Sequence, residues 1–168
     1  MLQGLPPLID ARTRCVILGS FPGVASLQAQ QYYGHPQNHF WKILGPLLGH
    51  ADIVSATYAA RCDWLLSQGI GLWDVYAACE REGSLDANIR HAVPNDFSTL
   101  RIRCPQLQVI AHNGGESFRH AKVTRSLGLP VYRLPSSSPA NASWSLARKT
   151  AAWAEVLQAA GLRVTPAE

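Results

Sequence analysis

Tyr33 and Asn38 stand close together in the segment Tyr33-Gly34-His35-Pro36-Gln37-Asn38, just before a predicted helix. Tyr33 offers a π-face to a planar base, and Gly34 leaves room beside that face. The amide of Asn38 both accepts and donates hydrogen bonds, so it can hold a water molecule against an electrophilic carbon. Asparagine is also a preferred residue at helix starts, so capping is the alternative role for Asn38.

Two later segments carry polar groups directly after predicted strands. In His112-Asn113-Gly114-Gly115 the amide of Asn113 can bind the edge of a base, or it can cap the following helix. Small hydroxyls before a helix N-terminus suit contacts to phosphate, and the first turns of the last predicted helix add Arg148 and Lys149. A flexible polar connector is the alternative for this second segment. It consists of Ser136, Ser137, Ser138, Pro139, Ala140 and Asn141.

The turn Gly19-Ser20-Phe21-Pro22-Gly23 follows the first predicted strand. It lacks the G-x-G-x-x-G spacing of a dinucleotide site and the Gly-Lys-Ser/Thr of a P-loop, and we expect no helix to follow at once. Its glycines indicate either backbone held close to a flat ligand or an ordinary tight turn. Asp74 ends the second strand, where it either faces the site or ties down its own loop. We assign no catalytic role to His35 or His39, because histidines at helix starts are commonly structural.

Four short apolar runs predict strands that are covered on both faces. They are Cys15–Gly19, Ile70–Val75, Leu107–Ala111 and Val131–Leu134. Helical patterns lie between them at 38–48 and 57–68, after Pro94-Asn95-Asp96, after Asn113-Gly114-Gly115, and at 143–160. The segment 76–94 has weak periodicity, so we expect a functional loop with a short helix near 85–89. Strands that alternate with helices predict a three-layer α/β/α sandwich around a short, mainly parallel four-stranded sheet.

Composition narrows the class of protein. The chain of 168 residues is 47% hydrophobic, which predicts one domain over residues 1–168. We expect a soluble, cytoplasmic protein, because no opening segment has the pattern of a signal peptide or a membrane span. We also expect a monomer. Four widely separated cysteines predict buried free thiols rather than zinc or an iron–sulfur cluster, and no cofactor is expected. They are Cys15, Cys62, Cys79 and Cys104.

Charge is distributed unevenly along the chain. Residues 1–100 hold six Lys and Arg against eight Asp and Glu, whereas residues 101–168 hold nine against three. The basic C-terminal part is compatible with a polyanion lying against it, or with an ordinary solvated basic surface.

Taken together, these motifs resemble those of the uracil-DNA glycosylase superfamily. Members carry Gly-x-x-Pro-Gly after the first strand, then an aromatic residue and His-Pro-x-Asn-x-Phe-Trp, and a Pro-Ser motif after the last strand. Here these read Gly19-Ser20-Phe21-Pro22-Gly23, Tyr33-Gly34-His35-Pro36-Gln37-Asn38-His39-Phe40-Trp41 and Pro135-Ser136-Ser137-Ser138-Pro139-Ala140-Asn141, with Asn113-Gly114 between them. The resemblance spans about residues 14–150 and implies a DNA glycosylase.

Within this superfamily the motifs resemble most the hypoxanthine-DNA glycosylase branch. The mismatch-specific branch has Asn inside the first motif, where this chain has Ser20 or Phe21. The classical uracil enzymes have Asp there and a His-Pro-Ser second motif, where this chain has Leu134. In the hypoxanthine branch the catalytic group is the Asn of His-Pro-x-Asn, which falls on Asn38. The aromatic residue that stacks on the base falls on Tyr33.

The resemblance implies a monofunctional enzyme that flips a deaminated base, hypoxanthine above all, out of DNA and hydrolyses its glycosidic bond. Asn38 would be catalytic, the segment 136–141 would contact DNA, and no metal would take part. The base would be bound by Gly19, Phe21, Tyr33 and Asn113. Excision of uracil or xanthine by the same fold is one alternative. A noncatalytic nucleotide-binding module, in which Asn38 and Asn113 are only caps, is the other.

Overall fold

Residues 1–165 are described by a computed structural model, in which two groups of strands are flanked by short helices. The strands are β1 (Leu2–Gln3), β2 (Cys15–Gly19), β3 (Ile70–Asp74), β4 (Tyr76–Glu80), β5 (Arg90–Pro94), β6 (Val109–Asn113) and β7 (Val131–Leu134). The helices are α1 (Val24–Ala29), α2 (Phe40–Leu47), α3 (Tyr58–Ser67), α4 (Leu100–Arg103), α5 (Gly115–Phe118), α6 (Ala121–Arg125) and α7 (Leu146–Ala159). Two 3₁₀ helices lie at Ala51–Ser55 and Asp86–Asn88.

The main sheet is parallel and has the strand order β3-β2-β6-β7. Side chains of β2 alternate between its two faces: Cys15 and Ile17 belong to one buried apolar cluster, and Val16 and Leu18 belong to another. Apolar runs without alternation are therefore buried on both sides, as predicted for a sheet covered by helices. The predicted fold class is confirmed.

The four strands of this sheet bring polar groups to one edge. Gly19 is the last residue of β2 and pairs with Asp74, the last residue of β3. Asn113 ends β6 and pairs with Leu134, which ends β7. In an open parallel sheet, ligands bind beyond the carboxyl ends of the strands. The register therefore brings the predicted motifs that follow β2, β6 and β7 to the same edge of the sheet.

A second sheet replaces most of the loop that we predicted at 76–94. Its strand order is β1-β4-β5, and both pairings are antiparallel. The sequence signal for β5 is weak because four of its five residues are exposed and its register is irregular. The 3₁₀ helix Asp86–Asn88 at the tip of this hairpin agrees with the predicted short helix.

Helix α1 is a further correction, because it begins directly after Gly23, where we expected no helix. It has six residues and buries only Ser26, so it has no apolar stripe to reveal it in the sequence. It ends at Gln30, whose backbone is left-handed with φ 54°. The predicted helices 38–48, 57–68 and 143–160 correspond to α2, α3 and α7.

No helix within residues 1–165 is both long and apolar enough to cross a membrane.

Candidate active site

A cavity of about 810 Å³ opens beyond the carboxyl ends of the parallel strands. This volume is in the range of small-molecule sites and can accommodate a nucleobase. Every site residue predicted from the sequence lines it. These residues are Gly19, Phe21, Tyr33, Asn38, Asn113, Ser136, Ser137, Ser138, Pro139, Ala140 and Asn141.

Asn38 lines the cavity and also bonds to the start of α2, although the N-cap of this helix is His39. Its Oδ1 atom accepts a hydrogen bond from the backbone N–H of Phe40 at 2.9 Å. The side chain is half-buried, and its Nδ2 atom makes no hydrogen bond to other groups in the described part of the chain. A carbonyl oxygen has two lone pairs, so Oδ1 can accept from Phe40 and from a water molecule.

Tyr33 lies in a strained conformation next to Asn38 in the cavity wall. Its φ is 54°, in the left-handed region that a bulky residue rarely adopts. One face of its ring stacks on Phe40, with centroids 4.0 Å apart and an interplanar angle of 16°. A base can therefore stack only on the other face. Strain of this kind is concentrated at functional sites, which agrees with a binding role.

The amide of Asn113 links two walls of the cavity. Its Nδ2 atom donates to the Ser137 hydroxyl at 2.9 Å and to the Tyr33 hydroxyl at 3.2 Å. Its Oδ1 atom accepts from the Ser137 backbone N–H at 3.0 Å. Asn113 does not cap α5, whose N-cap is Gly114. Both amide hydrogens are in use, so only the second lone pair of Oδ1 is free for a ligand.

The segment Ser136–Asn141 is an ordered loop rather than a flexible connector. The Ser136 hydroxyl accepts from the Ser138 N–H at 3.1 Å, and the Ser138 hydroxyl accepts from the Ala140 N–H at 3.2 Å. Asn141 Nδ2 donates to the Ser136 carbonyl oxygen at 3.1 Å. The hydroxyl hydrogens of Ser136 and Ser138 are left to donate to a phosphate.

The position of Ser137 does not suit the DNA contact that we predicted for it. It is 1% exposed, and its backbone carbonyl oxygen accepts from the His39 N–H at 3.0 Å. With Asn113 on its side chain and His39 on its backbone, Ser137 holds the loop against the sheet and α2. Its hydroxyl is shielded from a phosphate in this conformation.

Lys149 also differs from its prediction, because it is 1% exposed and cannot lie on a DNA-binding surface. Its Nζ atom lies 3.2 Å from His39 Nδ1 and donates to the Ser138 carbonyl oxygen at 3.3 Å. Burial lowers the pKa of this amine. Lys149 therefore ties α7 to the serine loop, whereas Arg148 is exposed and lies 3.6 Å over the Trp144 ring at the cavity.

Asp74 faces the cavity and does not tie down its own loop. Asp74 is 5% exposed, and its side chain accepts no hydrogen bond from a backbone N–H group of residues 1–165. Its Oδ2 atom is buried and has no hydrogen-bond partner within the same residues. A Cβ atom at Gly19 would lie 2.5 Å from Asp74 Oδ1 and 3.3 Å from the Tyr33 hydroxyl. Position 19 therefore requires glycine so that these groups can approach each other.

The hairpin tip contributes cavity groups that the sequence motifs did not reveal. Ser84, Leu85, Asp86 and Ala87 line the cavity. Asp86 accepts from the Ser20 hydroxyl at 2.6 Å, and the Ser84 hydroxyl accepts from the Val24 N–H at 2.9 Å. In the sequence, only the polar residues Ser84 and Asp86 in a short segment indicate that this tip could belong to the site. The sequence does not show which strand end the tip contacts.

Two of the histidines, His35 and His112, differ in their position relative to the cavity. His35 lines the cavity. His112 is fully buried and points away from the cavity lining, with Nδ1 2.8 Å from the Ser117 hydroxyl and Nε2 2.9 Å from the Thr124 hydroxyl. The Ser117 hydroxyl lies 2.7 Å from the Leu18 carbonyl oxygen, whereas the Thr124 hydroxyl is 3.2 Å from the Ala121 carbonyl oxygen. We therefore assign His112 as a neutral imidazole that donates from Nδ1 to Ser117 and accepts at Nε2 from Thr124. Burial lowers its pKa to about 4.

We expect His112 to make the fold sensitive to acid. Since its pKa is about 4 when folded and 6.5 when unfolded, the unfolded chain binds the proton first as pH falls. The free energy of unfolding should therefore fall by roughly 3 kcal/mol between about pH 6.5 and pH 4 from this group alone. Urea unfolding of wild type and His112→Gln at several pH values measures it. The free energy of unfolding of His112→Gln should depend less steeply on pH than that of wild type. As a control, His50→Gln changes an exposed histidine and should match wild type. Equal pH dependence in all three proteins would refute the assignment.

Comparison with known families identifies the class of this fold and site. The model of the uracil DNA glycosylase superfamily matches residues 6–159. The chain therefore belongs to the uracil DNA glycosylase superfamily. The predicted family and the predicted enzyme class, a DNA glycosylase, are confirmed.

Individual relatives cover nearly the whole chain. A protein named hypoxanthine DNA glycosylase from Methanosarcina barkeri is 42% identical over 156 residues, which are 93% of this chain and 98% of the relative. A protein of the same name from Methanosarcina acetivorans is 38% identical over 88% of this chain and 93% of its own length. A solution NMR structure of a candidate uracil DNA glycosylase from Methanosarcina acetivorans superposes with a TM-score of 0.84 and 37% identity, covering 95% of this chain and 98% of that structure.

Proposed function

We propose that this enzyme excises hypoxanthine from DNA by hydrolysis of the bond between deoxyribose and the base. One observation carries the proposal: Tyr33 and Asn38 share a cavity of about 810 Å³ in a chain that is 42% identical to a hypoxanthine DNA glycosylase. The volume suits a purine, and both residues are those that the family resemblance assigns to stacking and catalysis.

The substrate nucleotide must leave the base stack before it reaches this cavity. Flipping costs a few kcal/mol, and less for a poorly paired base, which favours deoxyinosine over a normal pair. The ordered loop Ser136–Asn141 lies at the cavity and presents the hydroxyls of Ser136 and Ser138, which suit phosphate contacts. Trp144 and the exposed Arg148 beside it extend this surface.

Within the cavity, the free face of Tyr33 stacks on the purine and Phe21 flanks it. Phe21 is 7% exposed, and the Arg81 guanidinium lies 5.3 Å from its ring centroid. Base stacking on an aromatic ring is worth about 1–3 kcal/mol and does not depend on the identity of the base. The Asn113 Oδ1 lone pair and backbone groups near Gly19 then bind the base edge.

Cleavage of the glycosidic bond builds positive charge on the sugar and negative charge on the base. Asn38 holds the water molecule that captures the sugar cation, with its Oδ1 accepting from that water and its Nδ2 free to donate. An amide is too weak a base to remove a proton early, so the rate depends on stabilising the departing base. No lysine among residues 1–165 lines the cavity, so we expect simple hydrolysis without strand cleavage.

The remaining properties are expectations of the same proposal. We expect the enzyme to act as a monomer on DNA in the cytoplasm, as one domain over residues 1–168 and without a cofactor. Among residues 1–165, no group of three or more His, Cys, Asp or Glu is placed to hold a metal ion.

A panel of oligonucleotide duplexes tests the substrate assignment. Each duplex carries one hypoxanthine, uracil or xanthine, and alkali cleavage of the abasic product reports excision. We expect the largest single-turnover rate on hypoxanthine. A larger rate on uracil or xanthine would reassign the substrate within the family, and tight binding of free nucleotides without base release from any duplex would favour a noncatalytic module.

A further inference from the structure

Asp74 is a buried carboxyl group that the function proposed above leaves without a role. It ends β3 at the floor of the cavity, is 5% exposed, and has no hydrogen-bond partner for Oδ2 within residues 1–165. An unpaired buried polar atom costs free energy, so such an atom calls for an explanation. One explanation is that the carboxyl group is protonated and donates its hydrogen bond to a bound ligand. The hydrogen-bond partner is then the ligand itself.

The groups around Asp74 favour this protonated form. Asp86 faces it from the hairpin tip, Arg81 from the residue after β4, and the hydroxyls of Tyr32 and Tyr33 from the loop before α2. Burial, and then the charge of Asp86, raise the pKa of Asp74 to about 7, against a smaller opposing effect of Arg81.

The guanidinium of Arg81 is only partly committed elsewhere, because its Nη1 atom is buried without a hydrogen-bond partner within residues 1–165. Its Nη2 atom donates to the Pro22 carbonyl oxygen and its Nε atom to the Gly83 carbonyl oxygen, each at 2.7 Å. No Arg or Lys within residues 1–165 forms an ion pair with Asp74. Near pH 7 a large fraction of Asp74 is therefore a neutral carboxylic acid, which faces the ligand space beside Tyr33.

Resting on the proposed excision of hypoxanthine, we propose that Asp74 is the general acid that protonates N7 of the departing purine. The C1′–N9 bond breaks and its electron pair passes to the base, while the Asp74 proton moves to N7. The base leaves neutral and Asp74 becomes a carboxylate. Water adds to C1′, and the proton that it loses returns the carboxylate to its acid form, so the sum is DNA plus water to abasic DNA plus hypoxanthine.

This role complements the neutral amide at Asn38. The reaction lacks a strong base on the water side, so its acceleration must come from the leaving-group side. General acid catalysis contributes about 100- to 10,000-fold, and it is most efficient when the pKa of the acid is near the working pH. An acid aimed at an imidazole nitrogen also favours purines, because pyrimidines have no N7.

The test compares single-turnover excision of hypoxanthine by wild type and Asp74→Asn from about pH 5 to about pH 9. Asparagine has the same shape and can donate a hydrogen bond, but it has no acidic proton to transfer. We expect the wild-type rate to fall as pH rises above about 7 and the variant rate to be at least about 100-fold lower. The variant should also lack the alkaline fall, whereas Asp86→Asn should move that fall to lower pH by removing a neighbouring negative charge.

A modified substrate tests the proton acceptor with the unaltered protein. In a duplex that carries 7-deaza-2′-deoxyinosine, N7 is replaced by carbon, so wild type should lose the alkaline fall and Asp74→Asn should cause no further loss. Circular dichroism and urea unfolding establish that the variants fold. If Asp74→Asn does not fold, the wild-type pH profiles on the two substrates decide the matter.

The outcomes separate the two proposals. Failure of wild type to release hypoxanthine from any duplex would overturn the proposed substrate. Release by wild type together with an unchanged rate and pH profile in Asp74→Asn would overturn the general acid alone. An alkaline fall that persists on the 7-deaza substrate would do the same, because it would show that the titrating group does not act on N7.

Discussion

Replacement of Asn38 by alanine is expected to lower the single-turnover rate of hypoxanthine excision by about 100- to 1,000-fold, the range for loss of one aligned polar group in an active site. DNA binding should remain close to wild type, because the serine loop and Tyr33 are untouched. The rate is measured by alkali cleavage of the abasic product, and affinity is measured by fluorescence anisotropy with the same duplex.

The hydrogen bond between Asn38 and the start of α2 requires a separate control. Loss of the bond from the Phe40 N–H to Oδ1 should cost about 1 kcal/mol of stability, whatever Asn38 does to substrate. Asn38→Ser restores an acceptor for the helix start but is too short to hold the same water molecule. It should therefore regain stability and remain inactive.

A second control removes a cap elsewhere. Thr57 caps α3 by accepting from the Ala60 N–H at 3.1 Å, and it does not line the cavity. Thr57→Ala should lose similar stability and excise at the wild-type rate. Wild-type excision by Asn38→Ser would show instead that position 38 serves only the helix.

The largest loss of stability is expected from Trp153→Ala. Trp153 is fully buried in α7, packs edge-on against Phe40 at 5.9 Å, and donates from Nε1 to the Pro135 carbonyl oxygen at 2.8 Å. Truncation of such a residue costs about 3–5 kcal/mol, a large part of the stability of an ordinary domain. Urea unfolding at constant pH measures the loss.

Trp153 should also affect excision, because it supports two walls of the cavity. Phe40 stacks on Tyr33, and Pro135 begins the serine loop, so truncation releases both. Trp153→Phe keeps most of the packing but loses the bond to Pro135, which should cost about 1 kcal/mol of stability and a smaller part of the rate.

Leu65→Ala provides the matched core substitution. Leu65 is fully buried in α3 and does not line the cavity, so its truncation should cost about 2–5 kcal/mol and leave excision by the folded enzyme unchanged. Equal losses of excision in Leu65→Ala and Trp153→Ala, measured where both are folded, would show that Trp153 acts through stability alone.

The buried positions show where reasoning from residue type fails. Serine and lysine are usually exposed, so residue type predicts Ser137 and Lys149 on a DNA-binding surface. Both are instead buried by contacts with His39, which lies about a hundred residues away in the sequence. The hairpin β4–β5 was not predicted because its second strand is mostly exposed and has little apolar pattern.

The sequence by itself determined the parallel sheet and the convergence of its motifs. Apolar runs without alternation require strands covered on both faces, and parallel strands must end at one edge, so residues after Gly19, Asp74 and Asn113 had to meet. Tertiary structure alone decided which polar groups at that edge are buried, bonded to one another, or left without a partner. Burial and pairing depend on contacts between segments that are distant in the chain, so the isolated acid at Asp74 is visible only once β3, the hairpin tip and the Tyr33 loop are packed together.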